Sequence, residues 1–143
     1  MPSQNQALGL QMSIADQTKY IKKMKPIIQA KFNTFCSNHS TLAFAYAGKT
    51  EQTVKRRLSQ HKKDQPVLFN NSLPHEIIKL PKLKPYCQAD VHAVMSQLEG
   101  FLIQLTIANY PAATHHQQQT GGDGQGGNHN PGNMQKLYIM YRA

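Results

Sequence analysis

Acidic residues are scarce in this chain. Among its 143 residues, seven Asp and Glu stand against sixteen Lys and Arg, which gives a formal net charge of +9. Charged residues make up only 16% of the chain, so the imbalance comes from missing acids more than from abundant bases. Chemistry that needs a carboxylate or a metal ion must draw on a short set: Asp16, Glu51, Asp64, Glu76, Asp90, Glu99 and Asp123. The charge balance itself favours a polyanionic partner.

Cysteines and long apolar runs are also few. The two cysteines, Cys36 and Cys87, have neither zinc-ligand nor disulfide-framework spacing, which argues against a zinc ribbon and a disulfide scaffold. The longest apolar run, residues 100–107, is too short to cross a bilayer. Residues 1–12 are rich in Gln and Ser and lack the basic and apolar regions of a signal peptide. We therefore expect a cytoplasmic protein without a membrane partner.

The composition along the chain indicates one domain with a leader and an internal linker. Residues 1–12 are expected to form a disordered leader, and residues 13–143 a single domain. Segment 115–133 holds six of the nine glycines and predicts a flexible linker. The segment after it, 135–142, is rich in β-formers and predicts a strand that docks on the domain.

The first half of the domain predicts helix followed by strand. Apolar residues between 16 and 35 recur at helical spacing, but Pro26 interrupts them, so two helical pieces are predicted. Residues 41–47 alternate bulky and small side chains, which predicts a strand that ends at Gly48.

The second half predicts two further helices and a short strand. Thr50 is expected to be the N-cap of a basic helix that runs to Lys63. Residues 75–80 predict a strand, and Asp90 is expected to cap an amphipathic helix that continues to Asn109.

Three short segments carry the candidate chemistry. The first is Tyr46-Ala47-Gly48-Lys49-Thr50, a strand that passes through a glycine toward a helix. The second holds Arg57 and His61, which lie one turn apart on one helix face. In the third, Glu99 lies on an apolar helix face. Because burial of an unpaired carboxylate is costly, this position predicts a cation, an arginine or a metal ion beside Glu99.

These segments resemble the GIY-YIG nuclease family. Tyr46-Ala47-Gly48 is similar to the second signature tripeptide, with Ala in place of the usual Ile, and Lys49-Thr50 follows as it often does in the family. Arg57 and His61 match the arginine and histidine of the family's first helix. Glu99 matches the glutamate of a late helix that holds the divalent metal.

The first signature tripeptide is missing from its usual place. The resemblance covers residues 41–109, and the window upstream of Tyr46, residues 31–35, contains no tyrosine. The segment 136–141, Lys-Leu-Tyr-Ile-Met-Tyr, looks like the missing strand, with Tyr138 in the tyrosine position. We hypothesise that this C-terminal strand returns across the linker and pairs beside Tyr46, in a permuted arrangement.

The resemblance implies an α+β fold, an α/β sandwich in which a small antiparallel sheet of about three strands is flanked by helices. It also implies a metal-dependent endonuclease that hydrolyses phosphodiester bonds of DNA with Mg²⁺ or Mn²⁺. Glu99 would hold the metal, and Arg57 would bind the scissile phosphate.

The resemblance gives the remaining residues supporting roles. Tyr46 and Tyr138 would position or deprotonate the attacking water, and His61 would act as a base or orient a neighbour. Lys49 would hold a phosphate oxygen at a helix N-terminus.

The basic helix predicts how nucleic acid is held. DNA is the expected partner, with RNA as an alternative, and a homo-oligomer would supply the second active site that a double-strand cut needs. Backbone contacts without sequence readout are expected from Lys49, Lys55, Arg56, Lys62 and Lys63. The biological role would be that of a restriction enzyme, a mobile-element nuclease or a toxin-like domain.

Two other interpretations stay open. One is a non-catalytic nucleic-acid-binding module on the same scaffold, which the missing first tripeptide supports. The other treats residues 43–50 as a degenerate phosphate-binding loop of an NTPase with Ala in place of the first glycine. Such a loop needs glycines, whereas Phe44 and Tyr46 are bulky strand formers.

Overall fold

The described part of the chain contains three helices and four strands. The structure is a computed structural model, and it describes residues 10–50, 54–66, 73–81, 88–115 and 136–143. The helices are α1 (Ile14–Asn38), α2 (Val54–Asp64) and α3 (Gln88–Asn109). The strands are β1 (Phe44–Thr50), β2 (His75–Lys79), β3 (Thr114–His115) and β4 (Lys136–Arg142).

The four strands form one mixed sheet in the order β2-β4-β1-β3. Strand β4 is antiparallel to both of its neighbours, β2 and β1. The predicted α+β class with flanking helices is confirmed. The predicted small antiparallel sheet corresponds to β2-β4-β1, and the short β3 adds a strand parallel to β1. This fourth strand includes His115, which the composition had assigned to the linker.

The C-terminal strand pairs beside Tyr46, as hypothesised from the sequence. In the register of β1 and β4, Gly48 lies opposite Tyr138 and Tyr46 lies opposite Met140. Strand β4 lies in the interior of the sheet, and its residues 137–140 are all buried. The last residues of the chain are therefore a structural centre of the domain, because two strands depend on them for their hydrogen bonds.

Strand alternation divides the side chains between two layers. Ala45 and Ala47 of β1 belong to the main core, which α1 and α3 build on one face of the sheet. Those helices contribute Ile21, Met24, Ile28, Phe32, Phe35, Val91, Val94, Met95, Leu98 and Leu102. The other face holds a smaller cluster of Phe44, Tyr46, Tyr138 and Met140, with Leu58 of α2 packed against it.

Helix α1 is continuous, so the prediction of two helical pieces was wrong. Pro26 lies inside the helix, where it removes one backbone hydrogen bond at a cost of about 3 kcal/mol. Met24 and Ile28, on either side of it, are both buried in the main core, and that packing offsets the loss. Pro26 and Lys22, whose carbonyl loses its partner, are both exposed, so water can satisfy that carbonyl.

Strand β1 is longer than predicted at its C-terminal end. It continues through Gly48 to Thr50, which pairs with Lys136 of β4. Thr50 is therefore a strand residue and not a helix N-cap, and α2 begins at Val54. Lys49, predicted to lie at a helix N-terminus, is likewise inside the strand. The prediction failed because the residues of β4 that extend β1 lie far away in the sequence.

The end of the predicted leader belongs to the core. Met12 is buried, and its N–H donates a hydrogen bond of 2.7 Å to Oδ2 of Asp90. Gln17 donates a second bond, from Nε2 to the carbonyl oxygen of Met12. The leader prediction therefore does not hold at Met12, while residues 1–9 lie outside the described ranges. Most of the predicted linker, from residue 116, also lies outside them.

No helix in the described ranges has both the length and the hydropathy that a bilayer crossing requires.

Candidate active site

Two tyrosines from neighbouring strands meet a histidine from α2 on the face of the sheet that α2 covers. The rings of Tyr46 and Tyr138 are nearly parallel, with centroids 6.3 Å apart. The ring of His61 meets Tyr46 edge-on at 4.8 Å. Nε2 of His61 lies 2.6 Å from the hydroxyl oxygen of Tyr138. Three residues that are far apart in the sequence, from β1, α2 and β4, thus form one cluster.

Gly48 leaves the space that the ring of Tyr138 occupies. A Cβ atom at Gly48 would lie 2.6 Å from both Cζ and the hydroxyl oxygen of Tyr138. Such a distance is far inside van der Waals contact, and Tyr138 is fully buried, so its ring has little room to move. The glycine of the Tyr-Ala-Gly segment is therefore explained by the aromatic ring that lies across it.

Gly48→Ala is expected to destabilise the protein by about 1–3 kcal/mol, because the added methyl group overpacks the cluster. Gly100 is the matched control, since it lies inside α3 and, apart from its chain neighbours and the surrounding helix backbone, no atom of the described residues lies within 4 Å of an added Cβ. Gly100→Ala should stabilise by about 0.5–1 kcal/mol through helix propensity. Urea unfolding of both variants measures the difference. A Gly48→Ala protein as stable as the wild type would show that Tyr138 does not occupy this position.

Arg57 joins the cluster through the hydroxyl group of Tyr138. Burial raises the pKa of Tyr138, and Arg57 lowers it in part, through its positive charge and through a hydrogen bond from its guanidinium to the hydroxyl. Nη1 of Arg57 also donates to Oε1 of Gln60 at 3.2 Å. Because an arginine can only donate, the oxygen of Tyr138 accepts from Arg57 and its own proton is directed to His61. Gln60 was missed by the sequence reasoning, although it follows Arg57 by one helical turn.

Burial keeps both members of the Tyr138–His61 pair neutral near pH 7. Desolvation raises the pKa of Tyr138 above its usual value, and electrostatic interactions with Tyr46 and Glu99 raise it further. Desolvation, followed by the positive charge of Arg57, lowers the pKa of His61 to about 4. A neutral His61 accepts a hydrogen bond from the hydroxyl group of Tyr138 at Nε2, and its own proton is then on Nδ1. The pair is thus arranged as a hydroxyl group and a base.

The low pKa of His61 predicts that the protein loses stability as the pH is lowered through a defined window. Between about pH 6.5 and the folded-state value of about 4, the unfolded chain binds a proton at His61 that the native protein does not. Stability is therefore expected to fall by up to about 1.4 kcal/mol per pH unit as the pH drops through this window. Urea unfolding between pH 7 and 5 tests this prediction. In His61→Gln, the free energy of unfolding should depend less steeply on pH, because the contribution of His61 is removed. Equal slopes for both proteins would show that His61 titrates normally.

Lys49 and Glu99 form a buried ion pair on the other face of the sheet. Nζ of Lys49 lies 3.8 Å from Oε1 of Glu99, and each side chain is 7% exposed. The cation predicted beside Glu99 is thus Lys49. Strand alternation directs Lys49 away from the tyrosine face, so it meets α3 and not a phosphate site at a helix N-terminus. Burial is the main reason why the pKa of Tyr138 is raised, and the charge of Glu99 adds to it.

Glu99 offers a single carboxylate for a metal ion. Nowhere in the described ranges do three or more His, Cys, Asp or Glu residues gather in a way that could hold a metal. Mg²⁺ is nevertheless often bound by one or two carboxylates, with water and substrate phosphates completing its shell. Glu99 fits that role as one protein ligand, although its charge is neutralised by Lys49 here.

The other predicted nucleic-acid contacts lie on the outside of α2. Exposed side chains on this helix include Lys55, Arg56, Lys62 and Lys63. Because α2 covers the tyrosine face, these bases flank the cluster. The interpretation of residues 43–50 as a phosphate-binding loop is wrong, because 44–50 form an extended strand whose backbone pairs with β4. No loop remains there to wrap a phosphate.

Protein-family models, curated proteins and solved structures give no match to this chain. The resemblance to GIY-YIG nucleases therefore depends on the sequence motifs alone.

Proposed function

We propose that this chain is a metal-dependent endonuclease of the GIY-YIG type that hydrolyses phosphodiester bonds of DNA. One observation carries the proposal: β4 brings Tyr138 beside Tyr46, where it contacts both His61 and Arg57. The tyrosine that the window 31–35 lacks is thus available from β4. A restriction, mobile-element or toxin-like role is compatible with this activity, RNA remains an alternative substrate, and a homo-oligomer would supply a second site.

The geometry of the cluster suggests how a proton would move. Attack of water forms a new O–P bond while the bond from phosphorus to the leaving sugar oxygen breaks, and that oxygen takes a proton from bulk water. The proton of the attacking water passes to the hydroxyl oxygen of Tyr138. The original Tyr138 proton passes at the same time to Nε2 of His61, 2.6 Å away. Arg57 holds the tyrosine oxygen and offers its remaining N–H groups to the phosphate, whose negative charge grows during attack. Glu99 would hold the divalent metal that the resemblance implies, which requires its carboxylate to part from Lys49, and the metal would supply a Lewis acid for the phosphate.

Metal-dependent nicking of supercoiled plasmid tests the proposal. We expect nicking with Mg²⁺ or Mn²⁺, its loss on addition of EDTA, and a fall of about 10²–10³-fold in maximal rate for Arg57→Ala. The neighbouring Arg56 is exposed, so Arg56→Ala should raise the DNA concentration needed for half-maximal rate and leave the maximal rate nearly unchanged. A protein that binds plasmid but never cuts it with either metal would contradict the proposal.

A non-catalytic nucleic-acid-binding module is the second candidate. Two observations favour it: Tyr138 has no exposed surface, and the carboxylate of Glu99 is already paired with Lys49. A buried phenol with a raised pKa and a neutralised carboxylate are also what a purely structural cluster would contain. Retarded migration of DNA without cleavage would support this candidate.

A further inference from the structure

Helix α1 carries basic residues that the candidate active site does not use. Five of the sixteen Lys and Arg residues of the chain lie on this helix, and all five are exposed: Lys19, Lys22, Lys23, Lys25 and Lys31. The one acid in the helix is Asp16, in the first turn, where its N–H is capped by Ser13. No ion pair joins any of the five lysines to another described residue.

Three of these lysines form a narrow stripe. Lys19, Lys22 and Lys23 are three and four residues apart, so they share one helix face and span about 6 Å along its axis. We call them the α1 lysine stripe. It lies opposite the buried face of the helix, which is marked by Met24 and Ile28. Lys25 is excluded, because its ammonium lies 5.1 Å from the ring centroid of Phe101.

The stripe has an energetic cost within the protein. Like charges at this spacing destabilise a helix by about 0.2–0.5 kcal/mol per pair. Alternating acids and bases are typical of a solvent-exposed helix face, whereas Asp16, one turn before Lys19, is the one acid on this helix. A bound polyanion would offset this repulsion, because each lysine would then be attracted to a phosphate group.

The stripe and the bases of α2 lie on opposite sides of the sheet. The buried residues of α1 belong to the main core on one face, and Leu58 of α2 packs on the tyrosine cluster on the other. One straight duplex against the tyrosine face would leave the stripe unused. We propose that the α1 lysine stripe binds the phosphate backbone of a second nucleic-acid segment, so that the substrate presents two segments at once. This inference rests on the proposed action on DNA.

A bridging assay in EDTA, where no cleavage occurs, tests the inference. An immobilised duplex is saturated with the full-length protein, and retention of a second, fluorescent duplex is measured. We expect retention by the wild type and a loss of about tenfold or more for K19Q/K22Q/K23Q, whose affinity for a single duplex through α2 persists. K19R/K22R/K23R keeps the charge and should restore bridging. Lys and Gln have similar helix propensities, so the triple variant should fold, and circular dichroism checks this.

The salt dependence gives an independent measure. If all three lysines contact phosphates, the slope of log affinity for the second duplex against log salt should fall by about 0.9 per lysine removed. Equal bridging by the wild type and K19Q/K22Q/K23Q would overturn the inference and leave the proposed nuclease intact. Failure of the wild type to bind any duplex would overturn both. Vesicles of phosphatidylserine and phosphatidylcholine form a parallel arm: vesicle binding lost in the triple variant, with bridging unchanged, would assign the stripe to an anionic lipid surface instead.

Discussion

Tyr138→Phe is expected to reduce the rate of metal-dependent nicking by about 10²–10⁴-fold, the usual contribution of proton transfer by a positioned side chain. The substitution removes only the hydroxyl that lies 2.6 Å from His61 and keeps the ring that fills the space at Gly48. DNA binding should be almost unchanged, because the bases that hold the backbone are on α2. Single-turnover nicking at saturating protein separates this loss of rate from any change in affinity.

Tyr141→Phe is the matched control for this prediction. Tyr141 lies on the same strand but on the opposite face, where its ring packs against Phe35 and His39. Its hydroxyl should be dispensable for nicking. Tyr138→Phe will also cost about 1–3 kcal/mol of stability, since Nε2 of His61 loses a buried partner, so both proteins must be assayed well below their unfolding temperatures. If Tyr138→Phe cuts at the wild-type rate, Tyr138 has no role in proton transfer.

The central role of β4 shows what a sequence reveals about a strand and what it leaves open. The β-formers of Lys136–Arg142 predicted a strand, and a tyrosine at the right position suggested its neighbour. Nothing local specified that this strand would also pair with β2 and so occupy the interior of the sheet. The place of a strand within a sheet is decided by pairing with segments that are distant in sequence, and the local pattern of apolar residues gives no information about that pairing.

The errors at the ends of elements have the same physical origin. Thr50 has the side chain of a good N-cap, yet pairing with Lys136 keeps it in β1. Pro26 is a strong local helix breaker, yet burial on both sides of it keeps α1 intact. Met12 reads as leader, yet a hydrogen bond to Asp90 fixes it to α3. In each case a tertiary contact outweighed the local preference, which is worth about 3 kcal/mol for proline in a helix and about 1 kcal/mol for an N-cap.

The candidate site was predictable where the residues stand close together in sequence. Arg57 and His61 share a helix face, and both reach Tyr138. The partner of Glu99 was predictable only as a class, because a partly apolar setting requires some compensating charge. That this charge is Lys49 follows from the register of β1, which was unknown from the sequence.

The Lys49–Glu99 pair is expected to give the largest change in stability. Lys49→Met or Glu99→Met alone leaves one charge buried without its partner and should cost about 3–5 kcal/mol. The double variant K49M/E99M removes both charges and keeps the volume, so its stability should lie within about 1 kcal/mol of the wild type or above it. Urea unfolding of the four proteins gives the coupling energy. Lys55→Met, at an exposed position on α2, is the control and should change stability by less than about 0.5 kcal/mol.

The double variant also separates the structural role of Glu99 from its proposed role toward the metal. If K49M/E99M is as stable as the wild type and yet fails to nick plasmid, the loss of activity comes from the missing carboxylate and not from unfolding. If it nicks at the wild-type rate, Glu99 is not the metal ligand, and the metal role in the proposed mechanism must be withdrawn. Single variants that each cost less than about 1 kcal/mol would instead show that the two charges are not buried together. A buried pair of this kind thus lets one set of four proteins test the electrostatics of the fold and the chemistry of the site.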